Sequence, residues 1–209
     1  MSLLNLVATS KTVNTVSGTT LTIAKPTGTV DGHLMVAIMG ARGGGATWTG
    51  AAGWTEIFDE GNEPRLRIAY KVASSEGSSY DFTLSSAGQT SGTIITLSGV
   101  TYESVGTLDE RTGTNDLVIN SVSAATGSSI LMSSMMYAGT SAGFTTASGM
   151  DLVSSDTSHM TFGVYVQYVP YGATGTRTFS NATSGNKTGI NLLLKINDAT
   201  KPLFFGSPF

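Results

Sequence analysis

One corner of the chain occurs twice. Residues 48–61 read WTGAAGWTEIFDEG, and residues 144–156 repeat them in altered form as FTTASGMDLVSSD. In both copies a turn-rich loop leads through a glycine into a short apolar segment. A recurring corner constrains the fold strongly, because each copy must be packed by an equivalent set of neighbours.

The flanking segments recur in the same order at an offset of 96 or 97 residues. The matching positions are Leu34-Met35 with Leu131-Met132, Trp48 with Phe144, Trp54 with Met150, Ile68 with Val164, Tyr70 with Val166, Phe82 with Phe179, and Gly92 with Gly189. A drift of one residue is typical of a duplication with small insertions and deletions. The sequence therefore predicts an internal duplication with a repeat of about 96 residues.

Strand signals dominate the chain. β-Branched residues and Gly, Ser and Asn turns occur throughout, whereas good helix formers are nowhere gathered at helical spacing. The apolar run 33–41 is typical of a strand buried on both faces. We expect an all-β protein, an antiparallel β-sandwich or jelly-roll-like fold with about six strands in each copy.

The clearest single strand spans residues 65–73. Its even positions are apolar, while Arg65, Arg67 and Lys71 occupy odd positions. Because side chains alternate between the two faces of a strand, this pattern predicts one buried and one solvated face. The basic face could bind a phosphate, but a solvated face is the ordinary explanation and the one we favour.

The domain boundaries follow the repeat. Residues 1–100 are the first β-sandwich repeat, residues 101–196 the second, and residues 197–209 a C-terminal arm. Two small sandwiches in tandem and one large pseudo-symmetric sandwich both fit this pattern. Residues 101–115 are polar and contain no proline-rich linker, which favours two repeats packed together as one body.

The C-terminal arm is rich in apolar residues although it contains two prolines, which prevent a regular ladder. Its large apolar side chains are Leu203, Phe204, Phe205 and Phe209. An exposed segment of this kind favours association. The arm therefore either folds back over its own sandwich or docks on a neighbouring subunit as an assembly contact.

Composition narrows the classes of function. Charged residues make up 12% of the chain, so we expect much of the surface to be covered by copies of itself or by partners. The net charge of −3 argues against a nucleic-acid binder, and the absence of cysteine excludes disulfides and thiolate metal sites. The N-terminus lacks a signal-peptide pattern and no apolar run is long enough to span a bilayer, so we expect a soluble protein without membrane insertion.

Residues 139–143, GTSAG, fit the nucleophile-elbow pattern around Ser141. Asp151 or Asp156 and then His159 follow in the chain order of hydrolases. The elbow requires a helix after the serine, and the Thr- and Gly-rich stretch that follows does not predict one. We therefore expect no catalytic residue and no enzymatic activity.

Metal-ligating patterns are equally weak. The two histidines, His33 and His159, do not correspond across the repeat and lack carboxylates at a ligand spacing. The acidic residues Asp59, Glu60 and Glu63 offer the oxygen ligands that calcium prefers, but not the spacing of an established loop. We expect neither a metal nor a cofactor.

Three residues are candidates for ligand binding. Trp48 and Trp54 could form a stacking platform for a sugar ring, and Arg42 precedes three glycines in what resembles a phosphate loop. The counterparts of the tryptophans are Phe144 and Met150, which favours a packing role. No Lys-Ser/Thr and no helix follow the glycines, which favours a flexible loop tip at Arg42.

The run GHLMVAIMGARGGG…AAGWTEIFDEG…LRIAYKVASSEGSSYDFTLSSAGQTSGTIITLSGV resembles a module common in bacteriophage virion proteins. In that module a strand and loop ending in Gly-Trp-Thr precede a hairpin with a Tyr-Lys-Val-Ala motif and a closing strand. The likeness covers roughly residues 20–196, and Ala52 stands where many members have proline. It implies a non-enzymatic structural role in a tail fibre, in a tail tip or on the capsid surface.

We therefore expect a homo-oligomeric virion surface protein, a capsid decoration or tail fibre component, that serves particle assembly or host attachment. Its partners would be copies of itself, other virion proteins and host surface glycans. It would be located in the virion after assembly in the host cytoplasm. The alternative is a carbohydrate-binding β-sandwich module that uses Trp48 or Trp54.

Overall fold

The computed structural model describes residues 5–42, 46–60 and 63–197, and the regular structure in these ranges is all β, as predicted. The strands are β1 (Leu6–Ala24), β2 (Leu34–Arg42), β3 (Trp48–Thr49), β4 (Thr55–Glu60), β5 (Arg65–Val72), β6 (Ser79–Leu97), β7 (Val100–Val105), β8 (Asp109–Ile119), β9 (Ser123–Tyr137), β10 (Asp151–Asp156), β11 (Thr161–Ala173) and β12 (Arg177–Ile196). No helix in the described ranges has the length and apolar character needed to cross a lipid bilayer.

The strands form two antiparallel sheets of the same design. The first has the order β1-β6-β2-β5-β4, with β3 also paired to β6. The second has the order β10-β11-β9-β12-β7, with β8 also paired to β12. Thus β2, β4, β5 and β6 correspond to β9, β10, β11 and β12, and the single long β1 corresponds to β7 followed by β8. The two halves resemble each other, while the duplication itself stays a prediction.

The ladder registers define this correspondence residue by residue. Leu34 of β2 pairs with Val72, and Ile130 of β9 pairs in the same way with Tyr168. The two strands therefore correspond at an offset of 96, and the sequence-based match of Leu34 with Leu131 is one residue out of register. A slip of one residue turns a side chain to the opposite face of its sheet, and Leu34 and Leu131 do belong to different apolar clusters.

Each sheet bends back on itself. Register shifts between Asn14 and Thr20 mark the bend in the β1–β6 pair, and β8 and β12 show the same kind of shift between Ser180 and Lys187. Beyond each bend the strand pair covers the outer face of its own half and closes an apolar cluster. The first outer cluster includes Leu21, Ile23, Met35, Met39, Trp48, Ala69, Tyr80, Phe82 and Leu84, and the second includes Leu117, Ile119, Leu131, Met135, Phe144, Met150, Tyr165 and Phe179.

The inner faces of the two halves pack on each other in a β-sandwich. The apolar residues between them, the central cluster, include Leu34, Val36, Ile38, Leu66, Ile68, Ile95 and Leu97 from the first half and Ile130, Met132, Met136, Phe162, Val164, Ile190, Leu192 and Leu194 from the second. Because β2 contributes to the central and the outer cluster, it is buried on both faces, as its apolar run predicts. The boundaries drawn at residues 100 and 196 stay a prediction.

Polar contacts also join the halves. The Lys11 ammonium lies 3.0 Å from the Asp156 carboxylate and donates to the Ser155 carbonyl at 2.8 Å. Inside the interface, the Ser154 hydroxyl donates to the Thr93 hydroxyl at 3.1 Å. Buried hydroxyl pairs of this kind satisfy each other and restrict the halves to one alignment.

The tightest apolar contact between the halves involves Gly40 and Met136. A Cβ atom on Gly40 would lie 1.8 Å from the Met136 sulfur and 2.7 Å from its methyl carbon. These two residues also hold corresponding places, since Gly40 pairs with Leu66 and Met136 pairs with Phe162. Because Gly40 has no side chain, the first half leaves space for Met136, which occupies the corresponding position in the second half.

Gly92 and Gly189 allow equally close packing inside each half. A Cβ atom on Gly92 would lie 2.9 Å from Leu21 Cδ2, and one on Gly189 would lie 2.7 Å from Leu117 Cδ2. These glycines are matched in the sequence at an offset of 97, and their contacts are the same in both halves.

Several segments differ from the sequence-based expectation. Residues 101–115, interpreted as a polar connection, contain β7 and much of β8. The sequence predicts separate strands at residues 80–84 and 92–100, whereas the structure has one continuous strand, β6, from Ser79 to Leu97. The Ser-, Gly- and Thr-rich residues between the two predicted strands look like a turn, and the register of the β1–β6 pair does shift there, between Thr83 and Thr90. Thr90 and Ser91 themselves are buried and paired with both β1 and β2.

The Gly40–Met136 contact predicts that the effect of Gly40→Ala on the free energy of unfolding depends on the residue at position 136. Gly40→Ala should lower the free energy of unfolding by about 1–3 kcal/mol, because the new methyl group overlaps the Met136 side chain. In a Met136→Ala background the same substitution should be neutral or stabilising, because the methyl group fills released space. Urea denaturation of the four proteins measures this, and an equal cost in both backgrounds would contradict the contact.

The shared glycine contacts predict matched losses of stability. Gly92→Ala and Gly189→Ala should each lower the free energy of unfolding by about 1–3 kcal/mol, because each methyl group displaces packed leucine and isoleucine side chains. Gly77→Ala is the control, since a Cβ atom there has nothing within 4 Å. Thermal and urea denaturation would refute the correspondence if one half tolerated the change and the other did not.

Candidate functional site

The recurring corner, defined here as residues 48–54 in the first half, is built into the core. Trp48 pairs with Leu84 on β6, and its side chain is only 4% exposed. Its backbone N–H donates to the Asp59 carboxylate at 3.2 Å. The residue therefore anchors the start of the corner to β4 and β6 together.

Trp54 closes the same corner. It follows Gly53, whose φ of 80° is a left-handed conformation that glycine adopts without strain. The indole ring makes edge-on contacts with the rings of Tyr80 at 5.1 Å and Phe82 at 5.5 Å. Such pairs stabilise a core beyond the area they bury. The positions of Trp48 and Trp54 thus support the packing interpretation more than a sugar platform.

A polar network lies beside Trp54. The Lys71 ammonium binds the Glu76 carboxylate at 2.9 Å, and the Tyr80 hydroxyl donates to the same carboxylate at 2.9 Å. Burial acts to raise the pKa of Glu76, but hydrogen bonds from Lys71, Ser74 and Tyr80 outweigh it and lower the pKa below its ordinary value. Burial and the nearby Glu76 carboxylate raise the pKa of Tyr80.

The odd face of β5 is not the solvated face that the alternation predicts. Arg67 is only 3% exposed, because the corner loop lies over it, and a Cβ atom on Gly50 would be 2.9 Å from its Nη2 atom. Its guanidinium contacts the Glu56 carboxylate at 3.0 Å. Val72, on the predicted buried face, is 52% exposed where the strand ends. The prediction of a wet basic face is therefore wrong at Arg67.

The second corner has the same path and different chemistry. Phe144 bridges to Asn181 where Trp48 pairs with β6, and Met150 takes the place of Trp54. The Tyr165 hydroxyl donates to the Phe144 carbonyl at 2.7 Å. Tyr165 corresponds to Ala69 in the ladder register. In the first half the loop residue Trp54 is large and the strand residue Ala69 is small. In the second half the strand residue Tyr165 is larger than the loop residue Met150.

Arg42, the third candidate binding residue, is exposed at the end of β2. Its Nε atom lies 3.5 Å from a Glu63 carboxylate oxygen, with both side chains substantially solvated. Surface ion pairs of this kind contribute little stability. Arg42 is therefore available to solvent on the rim of the molecule, and its role in binding stays a prediction.

A small cleft of about 80 Å³ lies near Glu63, between the two halves. Its lining residues are Glu63, Glu110, Arg111, Thr112, Asn186 and Lys187. Lys187 is 1% exposed, donates to the Thr114 and Thr183 carbonyls, and lies over the Tyr137 ring at 4.9 Å. Burial lowers the pKa of Lys187. Lys187 is thus engaged by the protein itself, whereas Arg111 is exposed and donates to the neighbouring Glu110 carbonyl at 3.1 Å.

The nucleophile-elbow residues are not assembled into a catalytic array among the described residues. The Ser141 hydroxyl accepts from Asn181 Nδ2 at 2.7 Å and interacts with the Thr161 hydroxyl at 3.1 Å. Asp156 is paired with Lys11, and His159 Nε2 is buried without a hydrogen-bond partner in the described part of the chain. The helix that an elbow requires does not follow Ser141. The absence of enzymatic activity stays a prediction.

The remaining candidates concern metals and the C-terminal arm. Asp59 of the acidic loop binds Arg65 at 2.6 Å, and no group of His, Asp or Glu in the described ranges could hold a metal ion. Leu203, Phe204, Phe205 and Phe209 lie outside the described residues. Their proposed contact is therefore a prediction from sequence.

No protein-family model matches this chain, and no curated protein and no solved structure is significantly similar to it. The resemblance to phage virion modules therefore stays a prediction from the motif residues alone. In the structure these residues form the corner and the strands β2, β4, β5 and β6 of the first half.

The network beside Trp54 predicts a pH-dependent loss of stability. Tyr80→Phe removes one donor to Glu76 and should lower the free energy of unfolding by about 1 kcal/mol near neutral pH. Because the folded pKa of Glu76 is lowered, its contribution exists above the pKa of the unfolded chain and is lost as pH falls through the folded pKa. The difference between variant and parent should therefore shrink in acid.

Urea denaturation across a pH series measures both effects. Tyr171→Phe is the matched control, since Tyr171 is 72% exposed. A Tyr80→Phe protein as stable as the parent at neutral pH would contradict the network.

Proposed function

We propose that this chain is a non-enzymatic structural protein of a phage particle surface, working as a homo-oligomer in particle assembly or host attachment. One observation carries the proposal: the residues of the phage-like motif form a single packed unit. Trp54 contacts Tyr80 and Phe82, and Lys71 joins Glu76 and Tyr80. Motif side chains that are engaged in internal packing and hydrogen bonds do not form an open reaction site, which agrees with a structural role.

An apolar strip supports the assembly contact. Tyr70 and Tyr102 stack at 5.1 Å, and Val72, two residues along the same face of β5, is 52% exposed. The described chain ends beside this strip, because Asn197 donates from its backbone to Gly99 at 2.9 Å and accepts from the Thr101 hydroxyl at 3.1 Å. The apolar C-terminal arm therefore departs next to an apolar surface, and we propose that it docks on this strip of a neighbouring copy.

The surface chemistry agrees with a role in a crowded assembly. Thr49, Thr83 and Thr20 form one exposed row across three strands of the first half. With charged residues at only 12% of the sequence, such faces are polar but carry little charge. Faces of this kind approach other protein surfaces without the desolvation cost of charged groups.

The location and the partners follow from the same proposal. The protein would be located in the virion, contacting copies of itself and other virion proteins, with host glycans as a further class of partner. The alternative function, a carbohydrate-binding module, would depend on Trp48 and Trp54. Their packed positions give this alternative less support than the structural role.

Removal of the arm tests the proposal. A chain lacking residues 199–209 should lose the oligomeric mass that light scattering gives for the parent, because the docking segment is gone. Replacing Leu203, Phe204, Phe205 and Phe209 by serine in the full-length chain should have the same effect.

The strip provides the reciprocal test. Val72→Ser should also reduce the mass, whereas Val16→Ser, at an 80% exposed valine in the bend of β1, should leave it unchanged. An oligomer that survives deletion of the arm, or a parent protein that is monomeric, would contradict the proposed assembly contact.

A further inference from the structure

Four N–H groups buried in or beneath the first corner have no hydrogen-bond acceptor among the described residues. They are the indole Nε1–H groups of Trp48 and Trp54 and the Nε–H and Nη1–H groups of Arg67. The Arg67 side chain is 4% exposed, and Trp48 is equally buried. Native proteins leave few buried donors unpaired, because the lost hydration is not replaced. Two of these donors belong to the first corner and two to Arg67 of β5, which lies beneath the corner residue Gly50, and together they indicate a place for an acceptor.

The acceptors already present in the corner are engaged elsewhere. The Asp59 carboxylate receives the Trp48 backbone N–H at 3.2 Å and the Arg65 Nε–H at 2.6 Å. The Glu56 carboxylate contacts Arg67 only through Nη2, at 3.0 Å, and its side chain is 50% exposed. The exposed Glu56 carboxylate thus contacts only Nη2 of Arg67. The Nε and Nη1 atoms of Arg67 have no hydrogen-bond partner among the described residues.

The second corner shows that the donors are not required by the fold. The residues at the positions of Trp48, Trp54 and Arg67 are Phe144, Met150 and Gly163. None of these side chains carries an N–H group, yet the second corner follows the same path. The donor set is therefore a property of the first half that its architecture does not explain.

We propose that the first corner is a binding site for a small oxyanion: a carboxylate, sulfate or phosphate group. Arg67 would supply the positive charge and its unpaired Nε–H, which points the same way as one Nη2–H, so the oxyanion would accept from this pair when Glu56 is displaced. The two indoles would donate further hydrogen bonds from apolar surroundings. Gly50, Ala52 and Gly53 lie in the exposed loop that covers Arg67, and because they carry no large side chains, mainly the loop backbone separates the guanidinium from solvent.

Glu56 has a definite part in this site. Its carboxylate bears the same chemistry as the proposed ligand and already holds Nη2 of Arg67. It would therefore compete with an incoming oxyanion and weaken binding. Removal of the Glu56 charge should therefore strengthen oxyanion binding, an effect that a purely structural Arg67 would not produce.

The two tryptophans make the site directly observable. The chain contains two Trp residues, so its ¹H–¹⁵N spectrum has two indole signals, which Trp48→Phe and Trp54→Phe would assign. Sodium phosphate, sulfate and acetate are titrated separately, with sodium chloride maintaining the ionic strength. Both indole signals should shift saturably with at least one oxyanion and not with chloride alone.

Variants then decide the mechanism. Glu56→Gln should tighten oxyanion binding by about tenfold, because a competing charged acceptor is removed. Arg67→Met should abolish the saturable shift, and Arg111→Met, which removes an exposed arginine in the second half, should leave it unchanged. Should Arg67→Met fail to fold, Arg67→Lys keeps the charge but removes the paired donors and should weaken binding.

Three results would overturn the proposal. The first is a pair of indole signals that respond to no oxyanion while showing contacts to bound water, which would assign the donors to water. The second is an oxyanion response that the Arg67 variants leave intact. The third is a Glu56→Gln protein that binds no more tightly than the parent.

Discussion

The face-to-face packing of β2 on β9 is the constraint on which the rest of the structure depends. Both strands are apolar on two faces, so each needs a neighbouring half on one side and a cover on the other. The bent strand pairs cover the outer faces of β2 and β9, and the inner face of each half is buried against the other half. Gly40 opposite Met136 makes this pairing specific, because the two residues hold corresponding places. Two first halves would leave a void at Gly40, and two second halves would crowd Met136.

The two corners show how one architecture supports different chemistry. Both turn through a glycine with positive φ, Gly53 and Gly149, and both cover an outer cluster. The second corner fills its space with Met150 and Tyr165. The first uses Trp54 and leaves room for Arg67, which is buried and has donors without an acceptor in the described part of the chain. The proposed scaffold role and the proposed oxyanion site are compatible, because the first depends on the shared path and the second on side chains unique to one half.

Much of the fold could be predicted from the sequence. The all-β class and the burial of β2 on both faces follow from apolar periodicity and turn residues, and the match of Gly92 with Gly189 follows from the repeat offset. What period-2 reasoning could not predict is which loop covers a strand, so Arg67 looked solvated on the odd face of β5. Likewise, Ser and Thr residues at 85–91 resemble a turn unless the neighbouring strands are known. The Lys71–Glu76–Tyr80 network joins residues from the end of β5 and the start of β6, and only the folded hairpin brings them together.

The inner faces of the two halves pack on each other, and a designed disulfide tests this contact most directly. The chain contains no cysteine, so the Thr93→Cys/Ser154→Cys protein has a single possible intrachain bridge. The two hydroxyl oxygens lie 3.1 Å apart, across the interface. Mild oxidation of the dilute protein should convert it fully to a monomeric chain with one internal disulfide, as mass spectrometry of unreduced tryptic peptides would show. Free thiols after oxidation, or only bridges between chains, would contradict the packing of the two halves described above.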